Sequence, residues 1–427
     1  MVIGSNILAG ASGQGGGYEI EQSIRFNDND SASLTRTPSS AGNRRTFTFS
    51  CWVKRATLTG ANQPIFSAGG DDWLMFLSAE TLGFNTSGSN YRIVTSQVFR
   101  DPGAWFHLLL RVDTTNATAG DRLRLYINGS EVTDFGTDTN PTLNFETAFN
   151  NTGEHRIGKL VGASQFFDGY LAEINHVDGS SLGPDSFGET NADTGQWVPI
   201  AYTGSYGTNG YYITGADSAD LGADDSGNGN DFTSSGLTAA DQVTDSPTDN
   251  FATWNPVGSC NVSGQPLTIS DGNLRSSAGG TSNAIEAVGT IAATTGKYYA
   301  EFTLNAAPQL TNQYPAIGII GIDLNITGGN NLNDASFFGY LPSGQKLSGG
   351  SASSYGDTYT NGDIIGIALD LDNQKIYFSK NGTYQNSGDP AAGSNAAFTT
   401  LVAGTEYRFC VSHAGSSATD VTMNAGQ

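Results

Sequence analysis

Residues 370–382 read DLDNQKIYFSKNG, and residues 121–132 read DRLRLYINGSEV. In both, apolar side chains alternate with polar ones and an Asn-Gly pair follows. A period of two gives an extended strand one buried face, and Asn-Gly supplies the left-handed dihedrals of a two-residue type I′ turn at low steric cost. Both stretches therefore predict antiparallel hairpins. The repetition specifies a fold and by itself says nothing of chemistry.

Outward from the first hairpin the same pattern recurs. In RRTFTFSCWVKRA (44–56), Phe47, Phe49 and Cys51 share one parity while Thr46, Thr48 and Ser50 share the other. WLMFLSA, TLGFNTS, YRIVTSQ, WFHLLLRV, EHRIGKL and FFDGYLAEINHV continue the series, closed by Gly, Ser or Asn. Around the second hairpin lie GKYYAEFTL, YPAIGIIGI, SFFGYLP, DIIGIALDLD and EYRFCVSH, with no amphipathic helix among them. A chain of 427 residues is too long for one ordinary core, so the expected class is all-β, with two antiparallel β-sandwich domains. The expected boundaries are a glycine-rich N-terminal arm at 1–17, a first sandwich at 18–180, a structured connecting extension at 181–257 and a second sandwich at 258–427. The extension carries Trp197, Tyr211, Tyr212, Phe232, Phe251 and Trp254, an apolar investment that a free linker does not make.

Composition narrows the function. Fifty-six glycines and only 13 prolines fit short strands joined by tight turns, and 41 acidic against 19 basic residues give a formal net charge of −22. Such a chain repels phosphate backbones and anionic lipid heads, which argues against nucleic acid as a partner. No stretch of 18 apolar residues exists, so membrane insertion is not expected, and the N-terminus lacks the pattern of a signal peptide. Three scattered cysteines, Cys51, Cys260 and Cys410, argue against a disulfide scaffold and against zinc. The chain holds no GxxxxGK[ST], GxSxG or HExxH motif, so nucleotide-dependent and metallohydrolase activities have no support.

Several of these stretches carry a resemblance. DIIGIALDLDNQKIYFSKNGTY (363–384), GKYYAEFTL (296–304) and AIGIIGI (316–322) resemble, in family order, the SPRY domain, a bent β-sandwich whose loops bind protein partners. FTFSCWVKR, WFHLLLRVD, RLRLYINGSEV and FFDGYLAEINHVDG resemble the laminin-G-like, concanavalin-like jelly roll. That resemblance implies binding of glycans or proteins, in some members through calcium. LGADDSGNGNDFTSSGL and DQVTDSPTDNFATWNP (221–256) resemble a stretch that follows such jelly rolls in structural proteins of tailed bacteriophages.

Candidate sites follow from residue type and place. Trp73, after the acidic pair Asp71 and Asp72 at a strand start, and Tyr91, Tyr355 and Tyr359 in polar loops are expected to offer stacking surfaces to a ligand; Asp72 or Asn85 is a candidate rim ligand for calcium or a sugar. In DDSGNGND, Asp224, Ser226, Asn228 and Asn230 place oxygens at alternate positions around a glycine-bearing turn, as calcium loops do, although a plain Asx-turn cluster is the competing reading. No catalytic residue is assigned. Glycoside hydrolysis needs two carboxylates across a groove, no ExDxxE-like strand is present, and Glu173 is assigned a structural or rim role. No cofactor is expected, calcium being the open alternative.

Together these point to a non-enzymatic structural protein of a virion, a tail or capsid fibre that presents sandwich loops to a host-surface glycan or protein. The arm, through Val2, Ile3, Ile7 and Leu8, is expected to attach it to other virion proteins. The expected assembly is a homo-oligomer, with a trimer as the first guess, placed on the virion surface after assembly in the host cytoplasm. A decoration or adaptor protein and a polysaccharide depolymerase are the alternatives.

Overall fold

The computed structural model describes residues 17–58, 60–88, 90–259, 267–279, 281–306, 313–321, 331–415 and 418–427. The arm residues Val2, Ile3, Ile7 and Leu8 lie outside this set, as does Cys260. The chain forms two units, one ending at Asn250 and the other running from Phe251 to Gln427.

In the first unit two eight-stranded antiparallel sheets face each other. The first sheet runs, in spatial order, through Ser130–Glu131, Leu123–Ile127, Phe106–Asp113, Thr46–Arg55, Gly169–Asp178, Ser23–Phe26 and Gln242–Val243, with Tyr211–Ile213 paired onto Gly169–Asp178. The second runs through Phe135–Thr139, Tyr91–Val98, Thr81–Thr86, Asp72–Phe76, Gln63–Ala68, His155–Ile157, Ser33–Arg36 and Thr233–Ser235. Between them lie Phe47, Phe49, Cys51 and Val53 from one side and Phe66, Leu74, Phe76, Leu82 and Phe84 from the other. This is the alternation visible in the sequence, placed face to face.

Residues 181–250 are more than a connector. They add strands to both sheets, and Tyr211, Ile213, Leu221 and Phe232 enter the core itself. Phe187 and Tyr206 pack on Leu109, Tyr126 and Val177, while Trp197 packs by Trp52 and Ala172. The outer face of the first sheet is thereby covered by the chain's own extension. The expected boundary at 257 moves to 250, because Trp254 is fully buried in the core of the second unit.

The second unit repeats the architecture. A seven-stranded sheet, ordered Leu267–Ser270, Arg275–Ala278, Thr419–Asn424, Lys297–Leu304, Ile364–Asp370, Lys375–Lys380 and Thr383–Tyr384, faces a six-stranded one. The latter is ordered Thr281–Val288, Tyr407–Gly415, Ala316–Gly321, Phe338–Tyr340, Gln345–Ser348 and Ser351–Ser354.

Both Asn-Gly pairs form the two-residue turns that the sequence predicts. Asn128 and Gly129 have φ of 47° and 75°, and Asn381 and Gly382 have 49° and 78°, with Ile127 paired to Ser130 and Lys380 to Thr383. Their surroundings differ. A Cβ on Gly129 would lie 2.4 Å from the Trp197 ring, whereas one on Gly382 meets nothing within 4 Å. Gly382→Ala should therefore cost only the left-handed backbone penalty of about 1–2 kcal/mol. Gly129→Ala must also displace Trp197, adding about 1–3 kcal/mol of overpacking. Chemical denaturation of both variants checks this, and equal losses would contradict it.

Candidate functional site

Because the extension covers the outer face of the first sheet, the open β surface of the first unit is the outer face of the second. Leu74, Phe84 and Ile93 point into the core, so their neighbours Trp73, Asn85 and Arg92 point away from it. The register sets these three side by side on adjacent strands, Trp73 opposite Asn85 and Asn85 opposite Arg92. The row continues through Ser67 and Arg156 on one side and Thr139 on the other.

The Trp73 indole leans along the sheet over Gly83, where a Cβ would lie 3.2 Å from the ring. The Arg92 guanidinium sits over the same ring at 5.3 Å from its centroid, a cation–π seat that fixes the long side chain. Beneath them Asn85 is 1% exposed. Its amide donates to the Asp71 carbonyl at 2.7 Å, while its Oδ1 and the Arg92 Nε are buried without a partner. A buried acceptor and a buried donor left open on neighbouring strands cost folding free energy unless a further group satisfies them. Trp73 and Arg92 are themselves half-buried.

Nearby, the outward Ser67 hydroxyl donates to the Lys159 carbonyl at 2.7 Å and accepts from the Val161 amide at 3.1 Å. The Lys159 ammonium lies 4.7 Å from the centroid of the Phe166 ring. The backbone of Lys159 and Val161 therefore lies over the outward side of Ser67, and the Lys159–Phe166 pair belongs to this bordering segment.

The other expected site residues are not brought together. Tyr91 lies opposite Thr86, on the inward parity, where its ring meets Phe145 edge-on at 4.8 Å. Tyr355 and Tyr359 correct the expectation of exposed stacking surfaces. Tyr359 is 1% exposed and donates to the carbonyls of Pro315 at 2.6 Å and Tyr340 at 3.0 Å. Tyr355 is buried against Tyr340 and Phe378. A tyrosine in a polar loop buries its ring when backbone acceptors are in reach of the hydroxyl, and nothing in the local sequence reveals those acceptors.

The DDSGNGND loop also departs from the calcium reading. Asp224 accepts from the Tyr212, Ser226 and Asn230 amides and from the Ser226 hydroxyl, all at 2.8–2.9 Å. Asn228 and Asn230 turn their amide groups onto the carbonyls of Gly207, Thr208 and Gly210. The Asn230 Oδ1 faces the Arg36 guanidinium, which a metal cation would not approach. The alternate oxygens tie the extension to the sandwich, and among the described residues no group of three or more His, Cys, Asp or Glu is placed to hold a metal.

Asp72, the other rim candidate, accepts from the Thr86 hydroxyl and the Ser87 and Ala148 amides at 2.6–3.0 Å, and burial holds its carboxyl above the usual range. Glu173 sits at a β-bulge with φ of 50° and accepts from the Tyr18 and Tyr212 hydroxyls at 2.9 and 2.7 Å. Its carboxyl is likewise raised by burial, and Tyr18 is pushed up to about 12 by burial first of all. Asp178 accepts from the Asn43 and Asn209 amides. Glu173 and Asp178 thus fasten separate segments, and they do not face each other across a cleft.

In the second unit the seven-stranded sheet borders a shallow depression of about 550 Å³ lined by Tyr384, Ser387, Gly388, Asp389, Pro390 and Ala391. No helix among the described residues is long and apolar enough to cross a membrane.

Comparison with known proteins agrees with this architecture. Residues 26–180 match the family described as the concanavalin A-like lectin/glucanases superfamily, and residues 297–427 match the SPRY domain. No curated protein matches the chain. Among solved structures, the SPRY domain of human HERC1 is 20% identical, covering 41% of this chain and 98% of its own, with a TM-score of 0.32. The PSpry domain of TRIM65 is 14% identical over 41% of this chain and 92% of its own, at 0.29. A putative carbohydrate binding protein from Bacteroides ovatus is 15% identical over 51% of this chain and 58% of its own, at 0.35. Residues 26–180 accordingly form a concanavalin/laminin-G-like domain and residues 297–427 a SPRY-like domain, two antiparallel β-sandwiches.

Proposed function

We propose that this chain is a recognition protein on the particle of a tailed bacteriophage, a tail or capsid fibre component whose first sandwich engages a host-surface glycan. The observation that carries the glycan reading is the Trp73–Asn85–Arg92 row, where an aromatic plane, a seated guanidinium and two unpartnered polar atoms share the open sheet face. Saccharide sites combine these elements, an apolar surface with a few placed donors and acceptors. A rigid sheet holds them with little ordering entropy left to lose.

The virion setting is supported by the sequence of residues 221–256, with its likeness to structural proteins of tailed phages. Attachment to other virion proteins is assigned to the N-terminal arm, with Val2, Ile3, Ile7 and Leu8 as contacts. A homo-oligomer, with a trimer as the working state, would turn weak single contacts into firm adhesion; sedimentation of the purified chain tests it.

Purified chain should bind host cells, and Trp73→Ala should lower that binding about tenfold or more, taking for the ring the scale of about 1–3 kcal/mol that aromatic stacking contributes against nucleobases. Immunogold labelling should place the protein on intact particles. Labelled particles with no cell binding by the purified chain would leave a decoration or adaptor protein and end the receptor reading.

A further inference from the structure

The same face suggests which glycans it takes, and this step rests on the glycan reading above. The chain carries 41 acidic side chains against 19 basic ones, and in the first unit most cations are spoken for. Arg25, Arg44, Arg45, Lys54, Arg55, Arg124 and Arg156 each pair with a carboxylate. Of the other six, none forms an ion pair among the described residues: Arg36, Arg111 and Arg122 donate to neutral oxygens, Arg100 is exposed, and Arg92 and Lys159 remain. Each is instead seated on an aromatic ring, Arg92 on Trp73 and Lys159 on Phe166, and Ser67 joins the two neighbourhoods. Its strand position faces Trp73 across the sheet, and its hydroxyl holds the backbone of Lys159 and Val161.

An aromatic seat orients a cation without neutralising it. Arg92 also covers part of the Trp73 ring that a neutral sugar would need for stacking, so an incoming ligand meets the guanidinium before it meets the indole. From the strand of Arg92 to that of Ser67 is three strand spacings, about 14 Å, a span suited to an oligosaccharide more than to a lone ion. The open Asn85 Oδ1 and Arg92 Nε, an acceptor and a donor, are the pair that a sugar hydroxyl can satisfy together once the Arg92 side chain shifts.

We propose that this face selects anionic saccharides, with the carboxylate or sulfate of the sugar received by Arg92 and Lys159 and its hydroxyls by Asn85. The overall charge of −22 opposes the approach of such a ligand. At physiological salt, however, the Debye length is about 8 Å, so most of the distant acidic surface is screened while the two cations at the contact are not. Guanidinium–carboxylate and guanidinium–sulfate contacts are short and charge-assisted, hence strong at close range.

The test is affinity electrophoresis of the full chain in gels containing polygalacturonate, chondroitin sulfate or neutral dextran, for wild type, Arg92→Gln, Lys159→Gln and the double variant, with thermal melts confirming that each variant folds. Wild type should be retarded by polygalacturonate, chondroitin sulfate or both, and the two polymers tell a carboxylate preference from a sulfate one. Each single variant should lose about tenfold in affinity and the double variant more, with the retardation falling as salt rises. Retardation of wild type by dextran alone would overturn the anionic selectivity while leaving the glycan reading in place. Undiminished binding of the double variant to the anionic polymers would also overturn it. No retardation by any of the three, with host-cell binding insensitive to Trp73→Ala, would remove the glycan reading and this inference with it.

Discussion

Lys54→Met is expected to destabilise the first unit by about 3–5 kcal/mol, the cost of leaving a buried charge without its partner. The Lys54 ammonium and the Asp245 carboxylate are both fully buried and lie 2.6 Å apart. Asn250 Oδ1 accepts from the same ammonium at 2.8 Å, and Trp105 Nε1 donates to Asp245 at 2.8 Å. In the variant the carboxylate keeps the indole donor and loses its counter-charge. Urea unfolding followed by tryptophan fluorescence reads the loss, because Trp105 reports on Asp245 directly. The double variant Lys54→Met, Asp245→Asn should recover much of it, since no isolated charge then remains in the interior. A loss under 1 kcal/mol for the single variant would show that the pair is not what fastens residues 245–250 to the sandwich. Proteolysis within 181–250 should accelerate alongside, because this pair anchors the far end of the extension.

Acidification from pH 6 to 5 is expected to cost the first unit up to about 3–4 kcal/mol and the second about 1 kcal/mol. All four histidines are buried, three in the first unit and one in the second. Burial lowers His107 to about 3, His155 and His413 to about 4, and His176 well below the ordinary value, with Arg36 adding to the effect at His155 and His176. A histidine whose folded pKa is depressed contributes stability above its unfolded value near 6.5, and that stability is lost as pH falls toward the folded value. Each histidine therefore costs on the order of 1 kcal/mol over that interval. The buried carboxyls of Asp72, Glu173 and Asp178 act in the opposite sense, because their raised values let the native state take protons more readily than the unfolded chain. That offset develops as pH falls through their raised values toward the ordinary carboxylate range, so it subtracts from the histidine loss in the first unit. Calorimetry at pH 7, 6 and 5 should show the first unit's transition moving down further than the second's. Equal shifts, or none, would contradict the assignment of all four rings as neutral in the native state.

The local geometry was legible wherever a short-range rule governs it. Alternation in FTFSCWV and KIYFSKNG fixes which side chains face a core, and Asn-Gly fixes the turn, because pleat and left-handed dihedrals are properties of neighbouring residues. Trp73 was recognisable as a residue to watch from its place at a strand start beside acidic residues. Arg92 was not, since a lone arginine in YRIVTSQ looks like any outward polar residue until the register sets it beside Asn85 and over the Trp73 ring. Tyr355 and Tyr359 misled for a related reason: the carbonyls that receive the Tyr359 hydroxyl belong to Pro315 and Tyr340, distant in the chain. The alternate oxygens of DDSGNGND fit two chemistries, an Asx-turn cluster first and a calcium loop second. Which one holds depends on the Gly207, Thr208 and Gly210 carbonyls and the Arg36 guanidinium, which the spacing within the loop does not contain.

The amino-acid sequence by itself determined that this chain is all-β, that it closes two hairpins with Asn-Gly turns, and that it divides into two sandwiches. Only the tertiary structure decided that residues 181–250 complete the first sandwich and cover one of its outer faces, leaving the other to carry the Trp73–Asn85–Arg92 row. The reason is physical. Periodicity records which side of its own strand a residue occupies, whereas a cross-strand row, a covered face and an unpartnered polar atom depend on which strands become neighbours.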